Sequence, residues 1–136
     1  MATAKLTDFG ILILRVTLGT IFLAHGLQKL LGAFGGPGIK GTASMLGGIG
    51  FTPPEVWAWG LALGEAVGGL FLILGVLPKI CAFVIAIIMI VAIVRIHGPK
   101  GFFMMKGGFE YQLLILSACI YIMITGSGKY SLLDKW

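Results

Sequence analysis

Ionisable residues inside long, mainly apolar stretches are the features of this chain that could do chemistry. Arg15 lies within the stretch 6–31, and Glu65 lies within the stretch 56–77. A charge at bilayer depth costs at least ~2.5–3.5 kcal/mol, so such a residue usually faces a partner or a ligand pathway. We therefore expect Arg15 and Glu65 to point into the protein rather than toward lipid.

The depth of each residue suggests its partner. Counted from expected helix ends at Leu31 and Pro53, a rise of 1.5 Å per residue places Arg15 about 24 Å, Glu65 about 18 Å and His25 about 9 Å into the membrane. Arg15 has a longer side chain than His25, and its expected depth is closer to that of Glu65. We predict an Arg15–Glu65 ion pair that fixes the first apolar segment against the second, with a His25–Glu65 pair as the alternative.

A second group of polar side chains gathers at three segment ends, all expected on one membrane face. Its members are His25, Gln28, Lys29, Arg95, His97, Glu110 and Tyr111, with Gln112 as a further candidate. Cations and histidines beside Glu and Tyr would suit a lipid headgroup, a small oxyanion or a quinone carbonyl. His25 and Glu110 could also exchange protons. An interfacial belt of snorkelling side chains is the alternative interpretation. The candidate catalytic residues are His25, Glu65 and Glu110, and the candidate ligand-binding residues are Arg15, Gln28, Lys29, Arg95, His97 and Tyr111.

The sequence contains no motif that is typical of a metal site or of a covalently attached cofactor. The histidines and glutamates show no H-x-x-x-H or E-x-x-H spacing, so no metal site is predicted. Cys81 and Cys119 do not form a C-x-x-C and are interpreted as small buried apolar residues. Any redox centre would have to be a diffusible quinone, a non-covalent group or a partner's cofactor.

The composition places these residues in a membrane protein. Of 136 residues, 58% are hydrophobic and 11% are charged, whereas soluble domains carry about 25% charged residues. The mean hydropathy is +1.05. The net charge of +5 then favours anionic lipid headgroups over nucleic acid as the partner. We predict one transmembrane domain over residues 1–136.

Four apolar segments predict an all-α four-helix bundle, with spans at roughly 9–31, 53–77, 79–97 and 109–126. Gly75 and Pro78 are typical of a helix end and a helix start, so the second and third spans should form a tight hairpin. The other two connections are long and should share one membrane face. The first of them includes a possible helical turn at 42–46.

Two further patterns concern packing and orientation. Glycines at 60, 64 and 68 form a small-xxx-small stripe that would let another helix approach closely. Lys5 precedes the first span and Lys79 lies in the shortest loop, which favours termini in the cytoplasm.

Several short motifs together resemble the DoxX family. They are LRVTLG at 14–19, FLAHGLQKL at 22–30, FGGPG at 34–38, GEAVGG at 64–69, GFF at 101–103 and GGFEY at 107–111. The resemblance implies a small four-helix protein of a bacterial or archaeal cytoplasmic (inner) membrane. Some members are subunits of quinol oxidases or thiosulfate:quinone oxidoreductases. The matching positions are Arg15, His25, Gln28, Lys29, Glu65, Glu110 and Tyr111.

The polar cluster and the resemblance together predict a redox-linked membrane protein or subunit. Its ligand would be a quinone or a sulfur oxyanion such as thiosulfate. The sequence leaves open whether the chain is itself an enzyme. A non-catalytic subunit of a membrane complex, a small permease and a lipid-binding protein are the alternatives, and partner subunits or a second copy are the expected protein partners.

Overall fold

The computed structural model describes residues 2–133, and this part of the chain is all-α. Five α-helices follow one another: α1 (Ala2–Leu31), α2 (Gly38–Gly48), α3 (Pro54–Leu74), α4 (Pro78–Ala92) and α5 (Glu110–Thr125). A wide π-helical turn, Ile93–His97, extends α4. Short 3-10 turns occupy the connections at Ala33–Gly35, Gly98–Lys100 and Met104–Lys106. The all-α prediction is confirmed.

Three helices of the described residues are long and apolar enough to cross a membrane. They are Thr3–Leu31, Pro54–Leu74 and the α4 region Pro78–Lys100, whereas α5 is apolar but has only 16 residues. A span needs about 20 residues. Large apolar side chains also remain exposed along α3 and α4, as expected for helices that face hydrocarbon. The chain is an integral membrane protein.

The predicted hairpin is confirmed at its two ends. Gly75 follows α3 in the left-handed region, at φ 71°, where glycine is favoured. The N–H groups of Gly75 and Val76 donate to Leu72 and Phe71, which satisfies carbonyls that the helix end leaves open. Pro78 then begins α4. The first helix is longer than predicted, because it begins at Ala2 rather than at Phe9.

The antiparallel contact of α1 with α3 is the closest helix packing in the described part of the chain. A β-carbon added at Gly26 would overlap the backbone of Ala66, and one added at Gly69 would overlap the backbone of Leu23. One added at Gly19 would lie 2.5 Å from the Gly69 carbonyl oxygen. Only residues without a β-carbon allow this approach.

The predicted glycine stripe lies on a different side of α3. A β-carbon at Gly68 or Gly64 would make ordinary contacts with α4, at 3.8 Å from Ile85 and 3.4 Å from Val84. Nothing lies within 4 Å of the corresponding position at Gly60. The stripe therefore packs loosely on α4, and the tight interface uses Gly19, Gly26 and Gly69 instead.

The main core lies between α1, α3, α4 and α5. Phe22, Leu72, Ile85 and Ile122 are buried at its centre. Cys81 and Cys119 belong to the same core as free thiols, so the interpretation of both as buried apolar residues is confirmed.

Candidate functional site

A cavity of about 620 Å³ lies between the second half of α1, the C-terminal part of α4 and the first turns of α5. All five helices contribute to its walls, which are mainly apolar and include Phe22, Leu46, Leu61, Ile88 and Ile115. Small-molecule sites commonly have volumes of roughly 300–1,000 Å³ and apolar walls with a few convergent polar groups. The cavity has the size of a ligand site.

An ion pair between Lys29 and Glu65 lies in the wall of this cavity. Lys29 Nζ is 2.6 Å from Glu65 Oε2, and the two side chains are only 17% and 5% exposed. Lys29 comes from α1 and Glu65 from α3. The close contact of Gly26 with Ala66 brings these two stretches of helix together, so tight packing and ion pairing are parts of one interface.

The predicted Arg15–Glu65 pair is wrong. Arg15 is 1% exposed, and its guanidinium donates to the backbone carbonyls of Ser127 and Tyr130. It lies against Gly75, where an added β-carbon would be 2.9 Å from Arg15 Cζ. Gly75 is ten residues from Glu65, or about 15 Å along a helix. Arg15 secures the segment after α5 to the hairpin end of the molecule.

The error arises from the assumption that the helix ends are level. Gly26 contacts Ala66, yet Gly26 lies five residues before the end of α1 and Ala66 lies twelve residues after the start of α3. The difference of seven residues is about 10 Å. Glu65 is therefore at the level of Lys29, not at that of Arg15.

His25 and His97 both line the cavity. His25 Nδ1 lies 2.8 Å from the Ile21 carbonyl oxygen, and His97 Nδ1 lies 2.7 Å from that of Gly107. Because a carbonyl can only accept, each Nδ1 must carry the proton. In the neutral ring Nε2 is then the acceptor, so each histidine keeps one hydrogen-bond acceptor. The alternative His25–Glu65 pair is replaced by the Lys29–Glu65 pair.

Tyr111 and Gln112, in the first turn of α5, complete the polar part of the wall. The Gln112 Oε1 atom is buried and has no hydrogen-bond partner among the described residues. Buried polar atoms are rarely left unpaired. This oxygen is therefore suited to accept a hydrogen bond from a ligand. Tyr111 was a predicted site residue, whereas Gln112 was a further candidate for the polar group and was given no role.

Comparison with known proteins identifies the family of this membrane protein. Residues 10–98 match the DoxX family model. The chain belongs to the DoxX family. This confirms the resemblance found in the sequence, and the matched region contains His25, Lys29, Glu65 and His97.

Two curated relatives match over nearly the whole chain. A Bacillus subtilis (strain 168) protein named "Putative oxidoreductase CatD" is 35% identical over 132 residues, which cover 97% of this chain and 90% of that protein. An "Uncharacterized protein" of Haemophilus influenzae is 29% identical over 136 residues, which cover 97% of this chain and 94% of that protein. No solved structure is significantly similar to the chain.

Arg95 supports the cavity of this DoxX protein from outside its lining. Arg95 Nη2 donates to the Ile49 carbonyl at 2.6 Å, and Cζ lies 5.5 Å from the centre of the Phe51 ring. Ile49 and Phe51 themselves line the cavity. The predicted ligand-binding residue thus holds the first connection against the end of α4 through a hydrogen bond and a cation–π contact.

Glu110 and Gln28 also lie outside the cavity lining. Glu110 Oε1 accepts a hydrogen bond from the backbone N–H of Met104 at 2.7 Å, which orders the connection before α5. The backbone and β-carbon of Gln28 lie close against Gly36, where α1 meets the first connection. Neither contact places the side chain toward the cavity. Of the nine predicted site residues, those in the lining are His25, Lys29, Glu65, His97 and Tyr111.

The contribution of α2 was not predicted from the sequence. This helix and the connection after it supply Met45, Leu46, Ile49 and Phe51 to the wall. The glycine-rich segment had predicted only a turn at 42–46, but the helix runs over Gly38–Gly48. The signal was present in the apolar residues at 45, 46 and 49, a spacing typical of one helix face.

Within the described part of the chain, no group of three or more His, Cys, Asp or Glu residues is placed to hold a metal ion. The polar groups at the cavity instead include one cation, one carboxylate, two imidazoles, a phenol and an amide. This set can donate and accept hydrogen bonds within a mainly apolar space.

Proposed function

We propose that this DoxX protein is a redox-linked protein, or subunit, of a cytoplasmic membrane, and that it binds a quinone in the cavity beside Lys29 and Glu65. The four apolar helices α1, α3, α4 and α5 would form the bundle, with both long connections on one membrane face. The observation that carries the proposal is the cavity of about 620 Å³, which is apolar over most of its wall and polar at Lys29, Glu65, His25 and Tyr111. A quinone likewise combines a polar head, which carries two carbonyls, with an apolar tail.

The charge balance of the site favours a quinone over a sulfur oxyanion. Lys29 is already neutralised by Glu65 at 2.6 Å, so the pair offers little net attraction to a free anion. Transfer of a strongly hydrated anion to an apolar cavity also carries a large desolvation cost. A neutral head with two carbonyls avoids that cost and still finds hydrogen-bond donors.

The polar groups would serve both forms of the ligand. The Lys29 ammonium and the Tyr111 hydroxyl can donate to a quinone carbonyl, whereas the Gln112 oxygen and the histidine Nε2 atoms can accept from a quinol hydroxyl. Histidine and carboxylate side chains are also suited to exchange the protons that accompany quinone reduction. The electrons would come from a non-covalently held group or from a partner's cofactor, since the sequence contains no motif for a covalently held one.

Ligand titration tests this function. Protein in lipid nanodiscs is titrated with decyl-ubiquinone and, separately, with thiosulfate, and the unfolding temperature and tryptophan fluorescence are followed. We expect the quinone to raise the unfolding temperature and to quench Trp57, which lines the cavity, and thiosulfate to do neither. A response to thiosulfate alone, or to neither compound, would exclude quinone binding.

A matched pair of glutamine variants locates the site. Gln112→Leu should weaken binding of the quinol more than that of the quinone, because the quinol loses an acceptor. Gln28→Leu should change neither, since Gln28 is not part of the cavity lining. Equal effects of the two substitutions would place the ligand elsewhere.

The alternative of an assembly subunit has less support. Its sequence basis was the glycine stripe of α3, but Gly64 and Gly68 already contact α4 in the folded chain.

We also propose that the termini are cytoplasmic. A fluorescent protein fused at the C-terminus should then fold and fluoresce, whereas a periplasmic alkaline phosphatase fusion should be inactive.

A further inference from the structure

The helices α3 and α4 separate as they run from the hairpin toward the long connections. The contacts at three glycines on one side of α3, at positions 68, 64 and 60, show this separation. An added β-carbon would lie 3.8 Å from Ile85 at Gly68 and 3.4 Å from Val84 at Gly64, but would meet no atom within 4 Å at Gly60. The two helices are therefore in contact up to Gly64 and apart at Gly60.

The gap beyond Gly64 opens into the cavity. Gly60 lines it from α3, and Val84, Ile87 and Val91 line it from α4. These three α4 side chains are also exposed, at 36%, 45% and 37%. All of them are apolar and belong to a membrane-spanning segment. The rim of the gap on α4 thus consists of side chains suited to contact hydrocarbon.

We propose that the quinone reaches the cavity from the bilayer through this gap, and that its apolar tail stays there when the head is bound at Lys29 and Glu65. Gly60 would be the residue that sets the clearance for the tail. The inference rests on the proposed function. Gly60 lies five residues from Glu65, or about 7.5 Å along α3, so a tail that leaves the polar end passes Gly60 shortly after the head.

Neither backbone nor packing accounts for glycine at this position. Gly60 is in the interior of α3 with no left-handed conformation, and no neighbour restricts a β-carbon there. Glycine in a helix interior is less favourable than alanine or leucine. Free space beside the cavity is the structural consequence of its missing side chain.

A substitution that fills the gap tests the inference. The reporter is Trp57 fluorescence in protein that carries Trp59→Phe and Trp136→Phe, reconstituted in nanodiscs. Gly60→Leu should weaken decyl-ubiquinone binding about tenfold, the loss expected when about two methylene groups of the tail lose their burial. The tail-less ubiquinone head should bind the variant and the unsubstituted protein alike.

Two further variants make the result decisive. Gly10→Leu is the control, because Gly10 also has nothing within 4 Å but lies on α1 away from the cavity; it should affect neither ligand. Ile87→Phe narrows the same gap from α4 without adding a second tryptophan, and it should reproduce the selective loss even if Gly60→Leu does not fold.

The outcomes separate the two proposals. Selective weakening of the tailed quinone by both variants supports the gap as the tail's path. Equal weakening of both ligands, or no weakening of the tailed one, overturns this inference while quinone binding stands. Failure of the unsubstituted protein to bind either ligand overturns the proposed function itself.

Discussion

The Lys29–Glu65 pair gives the sharpest quantitative prediction. Lys29→Met leaves the Glu65 side chain, which is 5% exposed, buried without its cation. Loss of one partner from a buried ion pair costs about 3–5 kcal/mol, because the remaining charge is uncompensated. Lys29 is 17% exposed and can extend its ammonium toward water. Glu65→Gln should therefore cost less, roughly 1–3 kcal/mol.

A double-mutant cycle measures the interaction itself. The free energy of unfolding is determined in mixed micelles of dodecyl maltoside and SDS for both single variants and for Lys29→Met/Glu65→Gln. We expect the double variant to be more stable than the sum of the single effects predicts, with a coupling energy of about 2–3 kcal/mol. Lys40→Met, which changes an exposed lysine of α2, is the control and should stay within about 0.5 kcal/mol of the unsubstituted protein.

A loss of stability in Lys29→Met no larger than that in Lys40→Met, or a cycle with no coupling energy, would refute the buried ion pair. A parallel cycle with Arg15→Met and Glu65→Gln tests the pairing that the sequence alone had suggested. The guanidinium lies against Gly75, about 15 Å from Glu65 along the helix. We expect this second cycle to be additive.

Three other substitutions test the surrounding framework. Arg15→Gln removes the charged donors that bind backbone carbonyls of the C-terminal segment. Local opening of that segment becomes easier, so trypsin should cleave after Lys129 roughly tenfold faster. Unchanged cleavage would mean that Arg15 does not hold the segment. Gly26→Ala should lower the free energy of unfolding by about 1–3 kcal/mol, because the added methyl group overlaps α3. Gly10→Ala is the control and should be neutral or slightly stabilising. Both free energies of unfolding are measured in the same mixed micelles. Arg95→Met removes the hydrogen bond and the ring contact that hold the first connection and should raise hydrogen exchange there while sparing α5.

The parts of the fold that depend on local signals were predictable. The left-handed residue after α3 needs glycine, and the first turn of α4 accepts proline because its N–H would have no helical partner. Gly75 and Pro78 meet these needs. The apolar segments likewise predicted the long helices, because their composition requires no tertiary information.

The pairing of charges was not predictable from the same signals. It depends on how far α1 and α3 slide along each other, which is fixed by the contact of Gly26 with Ala66 and of Gly19 with Gly69. Glycine at these positions permits a close approach, but it carries no information about the register between the two helices. A shift of seven residues, about 10 Å, moved Glu65 away from Arg15 and into reach of Lys29. An error in the predicted register of two helices therefore changes every side-chain pair predicted between them.

The two buried cations therefore have separate roles, and this separation bears on ligand selection. Arg15 is held by backbone carbonyls at the hairpin end, so it contributes to the fold and leaves Glu65 to Lys29. The Lys29–Glu65 pair sits on the tightest helix contact of the described chain, which restrains the polar end of the cavity. Five residues away along α3, Gly60 has open space beside it instead. A restrained polar end beside an open apolar gap should discriminate ligands by the chemistry of the head and tolerate tails of different length.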